Sequence, residues 1–360
     1  MRKFISKCLV FLCLLSLVFL PAGVGLDPYN VFHWNCIVSN GVEPNKVYVK
    51  MKNVLTHPDK FDSFLFGSSR AGFFDVTRMD DGRYYDMSYS EGTVNEHLQN
   101  LKDFIDRGIV PKNVTVALDD ITYFVDPASH VNQLYRKPFP WDGTLMDKIK
   151  FYLSYLDLIT ISQSIEVIQK HMAKDSRDLE YGARILETGS ENLTIKTQFD
   201  YGNLKPSWSD YYRPREECFE EIREFKELCE EHDIKLRIFT NPINGYTYKK
   251  DIANGYLVFL RKLSDITEYW NFSGFNDITL NMDNYYETSH FNPEVSNMVV
   301  DTVYHGKTDE RLLSQGFGVY VTKDNVDELL DILYGQAVNY DFPTDTYQDI
   351  PGYEPDDADK

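Results

Sequence analysis

The sequence predicts an α/β fold: a three-layer sandwich in which helices cover both faces of a mostly parallel sheet, with a largely helical insertion beside it. Three observations lead there. Short apolar runs that stop at turn residues recur along the chain, segments of helical spacing stand between them, and 360 residues with 42% hydrophobic content are enough to bury about three quarters of the unfolded surface without disulfide or metal staples.

Phe61 to Phe66 reads as a buried strand that breaks at Gly67-Ser68-Ser69. Val94, Leu98, Leu101 and Ile105 recur at helical spacing, with Gly108 placed to end that helix. Val114 to Leu118 is a second strand, closed by Asp119 and Asp120. Cys218, Ile222, Phe225 and Cys229 share one face of a charged helix opened by Pro214, which makes both cysteines core residues. Leu236 to Thr240 follows as a third strand ending at Asn241-Pro242, and a last helix starts with Asn292 as N-cap and Pro293 behind it, carrying Val295, Met298, Val299 and Val303 inward. The pattern changes over about 129–214: a rigid Pro138, Pro140, Trp141 lead-in, a helix from Met146 to Met172, then polar, irregular sequence from Leu179 to Ser209. This is the insertion. Residues 340–360 are acidic with little to bury and are expected to be a mobile tail, which leaves 27–339 as the folded domain.

The first 26 residues concern the compartment. Arg2, Lys3 and Lys7 precede a charge-free stretch from Cys8 to Leu26, the order of an export signal. Read to Leu20 it is a signal-peptide core; read to Leu26 it is long enough to span a bilayer, so residues 1–26 are either a signal peptide or an N-terminal membrane anchor, the anchor preferred. Either way the remainder lies outside the cytoplasm, with the membrane as a partner through this segment. A net charge of −19 leaves no basic stripe for nucleic acid, and five cysteines without a CxxC pair argue against a zinc module.

The chemistry-bearing residues fall where strands end, the place where open α/β sheets hold ligands. Ser69 follows the first strand in a Gly-Ser-Ser turn whose backbone N–H groups can face an anion. A serine hydroxyl needs a base, and Glu287-Thr288-Ser289-His290 offers an imidazole with a carboxylate three residues earlier to orient it. Asp283 is the weaker substitute for that acid. Asp119, Asp120, Asp126 and His130 are spaced for structural or hydrogen-bonding roles in preference to a metal site, and no cofactor is required.

Together these pieces resemble the SGNH (GDSL-type) hydrolase and acyltransferase superfamily, whose fold is flavodoxin-like. Gly67-Ser68-Ser69 resembles its first block, Ser88-Tyr89-Ser90-Glu91-Gly92 its second, Ala117-Leu118-Asp119-Asp120 its third, and Glu287-Thr288-Ser289-His290 its last, over about residues 60 to 305. Within it the chain is most similar to the membrane-anchored extracytoplasmic branch, which includes the D-alanyl transfer protein of teichoic acid synthesis and the alginate-type O-acetyltransferases. The resemblance implies a serine esterase or O-acyltransferase acting on acyl esters of cell-envelope or exopolysaccharide glycans, in some cases beside a membrane-embedded O-acyltransferase. It makes Ser69 the nucleophile, His290 the base, Glu287 the orienting acid, and Gly92, Asp119, Asp120 and Arg70 the oxyanion or substrate residues. Asp119 stands where many members have an asparagine donor. An ionised carboxylate only accepts, and losing one oxyanion donor costs about a hundredfold to a thousandfold. Hence either the Ser69 and Gly92 amides suffice, Asp119 is protonated, or the protein is a catalytically silent relative that binds polysaccharide or an assembly partner.

Overall fold

The computed structural model describes residues 2–37, 42–172, 177–192 and 213–340. In chain order it contains α1 (Arg2–Leu20), α2 (Lys46–Thr56), β1 (Ser63–Gly67), β2 (Tyr84–Asp86), α3 (Val94–Asp106), β3 (Asn113–Leu118), α4 (Asp120–Phe124), α5 (Leu145–Leu153), α6 (Leu158–Met172) and α7 (Arg177–Glu187). After these come α8 (Glu217–Glu231), β4 (Lys235–Thr240), α9 (Gly245–Ala253), α10 (Tyr256–Ile266), β5 (Tyr269–Asn271), α11 (Pro293–His305), α12 (Glu310–Leu313), β6 (Val319–Val321) and α13 (Val326–Asn339). They form two compact units, residues 1–57 with 130–187, and residues 58–129 with 188–360.

The second unit holds one six-stranded sheet in the order β2-β1-β3-β4-β5-β6, parallel except for β6, which runs against β5. β1 and β3 are buried at every residue, as parallel strands covered on both faces must be. Their side chains alternate between two cores. Phe64 and Phe66 pack on Phe104 of α3 and Phe225 of α8, whereas Leu65 joins Phe74, Phe239, Phe291 and the Val295, Val299 and Val303 stripe of α11 on the opposite face. The expected helix-covered, mostly parallel sheet is therefore present.

Local sequence accounts for the elements around the site. Thr93 and Glu96 close a reciprocal capping box on α3. The Asn292 side chain accepts from Val295 N–H at 3.0 Å and Pro293 supplies a fixed φ, so α11 starts where expected; Gly306, at φ 64°, ends it. Met298 does not point inward: it is 40% exposed, and Val300 is buried beside Val299 instead. Cys218 and Cys229 are buried on α8 as predicted.

The first unit departs from the sequence reading more. The helix expected from Met146 to Met172 is two, α5 and α6, and part of the segment expected to be irregular is helix α7; residues 193–212 and, of the tail expected at 340–360, all but Tyr340 lie outside the described residues. Tyr48, Phe139, Phe151 and Tyr155 centre its core.

The expected transmembrane anchor is overturned: among the described residues no helix is long and apolar enough to cross a membrane. The regular helix stops at Leu20, so its charge-free part, from Cys8, measures about 20 Å against about 30 Å of hydrocarbon. Pro21–Leu26, needed to complete a span, forms a wide π-type turn packed into the unit. The Ala22 carbonyl accepts from Ser164 Oγ at 2.9 Å, and a Cβ on Gly23 would lie 2.7 Å from the Tyr155 carbonyl oxygen.

Candidate active site

Because β1, β3 and β4 are parallel, their C-terminal ends come to one edge of the sheet, and the residues just after them share that edge. After β1 the chain turns at once into a short 3₁₀ segment, Ser69–Phe73, with Ser68 as its N-cap. Gly67 is required here, since a Cβ would lie 2.9 Å from the Ala117 carbonyl and 2.8 Å from Ala71 Cβ. This turn leaves Ser69 partly exposed at the edge. Its N–H, the first of the 3₁₀ segment, donates to no acceptor among the described residues.

The opposing loop, Tyr285 to Phe291, closes on itself through an antiparallel bridge between its end residues and a Tyr286 N–H to His290 O bond of 2.8 Å. Two long-range bonds tie it to the β4–α9 side: Tyr285 Oη donates to Pro242 O at 3.2 Å, and Thr247 Oγ1 donates to Thr288 O at 2.6 Å. Within the loop Glu287 accepts from the N–H groups of Ser289 and His290, each at 2.8 Å, and from His290 Nδ1. His290 Nε2 lies 2.8 Å from Ser69 Oγ. Ser69, His290 and Glu287 thus form one hydrogen-bonded chain, with the ring of Phe73 4.9 Å from the imidazole. Burial works to raise the Glu287 carboxyl, but the His290 hydrogen bond and charge and the two loop amides outweigh it and hold it below the usual carboxylate range.

The four residues expected at the oxyanion or substrate are placed otherwise. Arg70 is buried beneath the turn, where Nη1 donates to Asp119 Oδ2 at 2.9 Å and to Asp120 Oδ1 at 2.5 Å, and Nε donates to Ser289 O at 3.0 Å. Asp119 also accepts from Ser68 Oγ at 2.5 Å, Asn241 Nδ2 at 3.0 Å and Ile121 N–H at 3.1 Å. Burial pushes its carboxyl up, Arg70 pulls it down and Asp120 pushes it up again; the net direction is upward. Its oxygens are committed to these donors. Gly92 donates its N–H to Tyr89 O at 3.0 Å, and the absence of a Cβ allows His97 Nε2 and Gly67 O to approach, at 2.6 Å and 2.7 Å from where that atom would stand. Gly92 is thus a close-packing glycine that lets buried His97 hydrogen-bond Gly67 O at 3.0 Å and pack at a tilt against Phe66 and Tyr89.

Sequence reasoning misses Asn241 and Ser68. Position after a strand is the one signal that could point to Asn241, and Ser68 is overshadowed by the serine beside it. No group of three or more histidine, cysteine or acidic side chains among the described residues is arranged to hold a metal ion. Compared with protein families and curated proteins, the chain matches no family and no curated protein at a significant level.

Proposed function

We propose that this protein is an SGNH-like serine acyltransferase or esterase working outside the cytoplasm on acyl esters of envelope or exopolysaccharide glycans. The Ser69–His290–Glu287 hydrogen-bonded chain carries the proposal, because it joins a nucleophile, a base and an orienting carboxylate in the order an acyl-enzyme mechanism needs. Ser69 Oγ attacks the acyl carbonyl carbon as His290 Nε2 takes its proton, and Glu287 stabilises the resulting imidazolium. The tetrahedral oxyanion faces the unpaired Ser69 N–H. Collapse expels the alcohol, which takes the proton back from His290 and leaves the acyl group on Ser69. Water then gives hydrolysis, or a sugar hydroxyl gives transfer, by the same steps in reverse.

The charge-then-apolar order of residues 2–20 supports export, and a membrane-embedded O-acyltransferase is the partner that the transfer reading would involve. A second reading, a catalytically silent glycan- or partner-binding protein, is favoured by a specific observation: Asp119 is saturated and the Gly92 N–H is already bonded, so of the expected oxyanion groups Ser69 N–H alone is unengaged. Fluorophosphonate labelling separates the two. The enzyme reading expects covalent labelling lost in Ser69→Ala and His290→Ala; a folded wild-type protein that does not label favours the binding protein.

A further inference from the structure

Arg70 stands beside the nucleophile in sequence, yet its side chain turns away from the surface and is 4% exposed. A buried guanidinium is costly unless its charge and its donors are all satisfied. Here two carboxylates meet its charge, and its donors are sent in two directions. Nη1 forks between Asp119 and Asp120 at the end of β3, while Nε reaches Ser289 O, the carbonyl immediately before His290. One side chain therefore joins the nucleophile turn, the end of β3 and the histidine loop.

We infer that Arg70 is a positioning residue that sets His290 Nε2 against Ser69 Oγ by holding the Ser289 carbonyl; this rests on the reading of Ser69, His290 and Glu287 as a triad. The anchor it pulls against is rigid. Asp119 is fixed by Ser68, Asn241 and the Ile121 amide besides Arg70, and it caps α4. The histidine loop has internal order from Glu287, but its other long-range bonds come from Tyr285 and Thr247, which reach the β4–α9 side. Besides the Ser69–His290 bond itself and the Phe73 ring against the imidazole, Arg70 supplies a side-chain tie between this loop and the β1 turn that carries the nucleophile. An error of 1 Å in such a placement costs about a hundredfold in rate.

Lysine cannot replace it. An ammonium at the end of the stem keeps the charge near Asp119 and Asp120 but has no donor at the Nε position, and the fork with its side branch is a property of guanidinium alone. Arg70→Lys is accordingly the decisive variant, because it separates position from charge. Arg70→Met strips the cation from two buried carboxylates and is expected to fold poorly.

The test compares wild type, Arg70→Lys, Ser69→Ala and His290→Gln in the full chain by two readouts. The first is fluorophosphonate labelling, fitted for rate constant and final amplitude separately. Arg70→Lys is expected to label to the same amplitude as wild type with a rate constant lower by about tenfold to a hundredfold; a merely structural role would lower the amplitude, through unfolded protein, and leave the rate of the folded fraction unchanged. The second is the downfield proton resonance of His290 Nδ1–H, identified by its loss in His290→Gln, which is expected to broaden or vanish in Arg70→Lys. Labelling at the wild-type rate with that resonance intact would overturn the inference while leaving the triad reading in place. If wild type does not label, the triad reading fails on its own evidence, and an unchanged resonance in Arg70→Lys then removes the positioning role as well.

Discussion

Replacing Glu287 by glutamine keeps the size of the side chain and removes its charge. In the native loop the carboxylate accepts three hydrogen bonds, two from backbone amides and one from the imidazole. A glutamine has one acceptor oxygen, so its NH₂ must face at least one of those donors or force His290 into the other tautomer. The larger effect in the proposed mechanism comes when the Ser69 proton reaches His290. An imidazolium and a carboxylate about 4 Å apart at an effective dielectric near 20 attract by about 4 kcal/mol. The Glu287 side chain is 46% exposed, so solvent screening reduces this to about 2 kcal/mol, and exchanging a charge-assisted hydrogen bond for a neutral one adds about 1 kcal/mol. The sum, about 3 kcal/mol of barrier, predicts that Glu287→Gln labels about a hundredfold more slowly than wild type. The assay is the fluorophosphonate rate constant at fixed pH, with circular dichroism to verify folding. A rate within about threefold of wild type, under 1 kcal/mol of barrier, would refute the role given to this acid.

Three further outcomes follow from the packing and the charges. Gly92→Ala places a methyl group against the Gly67 carbonyl and His97 and should cost about 1–3 kcal/mol in chemical denaturation, with slower labelling because β1 ends at Gly67. Phe291→Ala removes a fully buried ring beside His290 and should cost about 3–5 kcal/mol. Asp81 is opposed by burial but is held below its ordinary value by Arg237, Lys235 and Tyr84; a depressed folded value contributes stability that is present above the ordinary carboxylate range and lost as pH falls through the folded one. Asp81→Asn should therefore destabilise at neutral pH and flatten the loss of melting temperature below about pH 4.

Elements with a strong local signal are legible in the amino-acid sequence. β1, β3 and β4 are five or six residues long and run into turn residues, and α3, α8 and α11 carry apolar stripes with recognisable ends. β2, β5 and β6 have three residues each, too few for any periodicity to emerge, and leave no such mark. The pairing of Ser69 with His290 can be anticipated because both sit at strand or helix boundaries. The roles of Arg70, Asp119 and Asp120 cannot, since an arginine beside two acids looks the same in sequence whether it faces a ligand or its neighbours. Gly92 illustrates the same ambiguity. A glycine can free an amide for an oxyanion or remove a Cβ from a tight contact, and only the position of His97 distinguishes them here.

The histidine loop brings together two scales of assembly. Glu287 and His290 are three residues apart and bound within a single turn, whereas Ser69 and His290 are separated by 221 residues. A contact that distant forms only after the intervening chain has paid its loop-closure entropy, and such contacts come late in folding. A nucleophile that is reactive only when the contact is made would count completed molecules and ignore collapsed ones. Followed during refolding, its reactivity should lag behind the recovery of helix signal, a clock for the last step of folding set by the spacing of two residues.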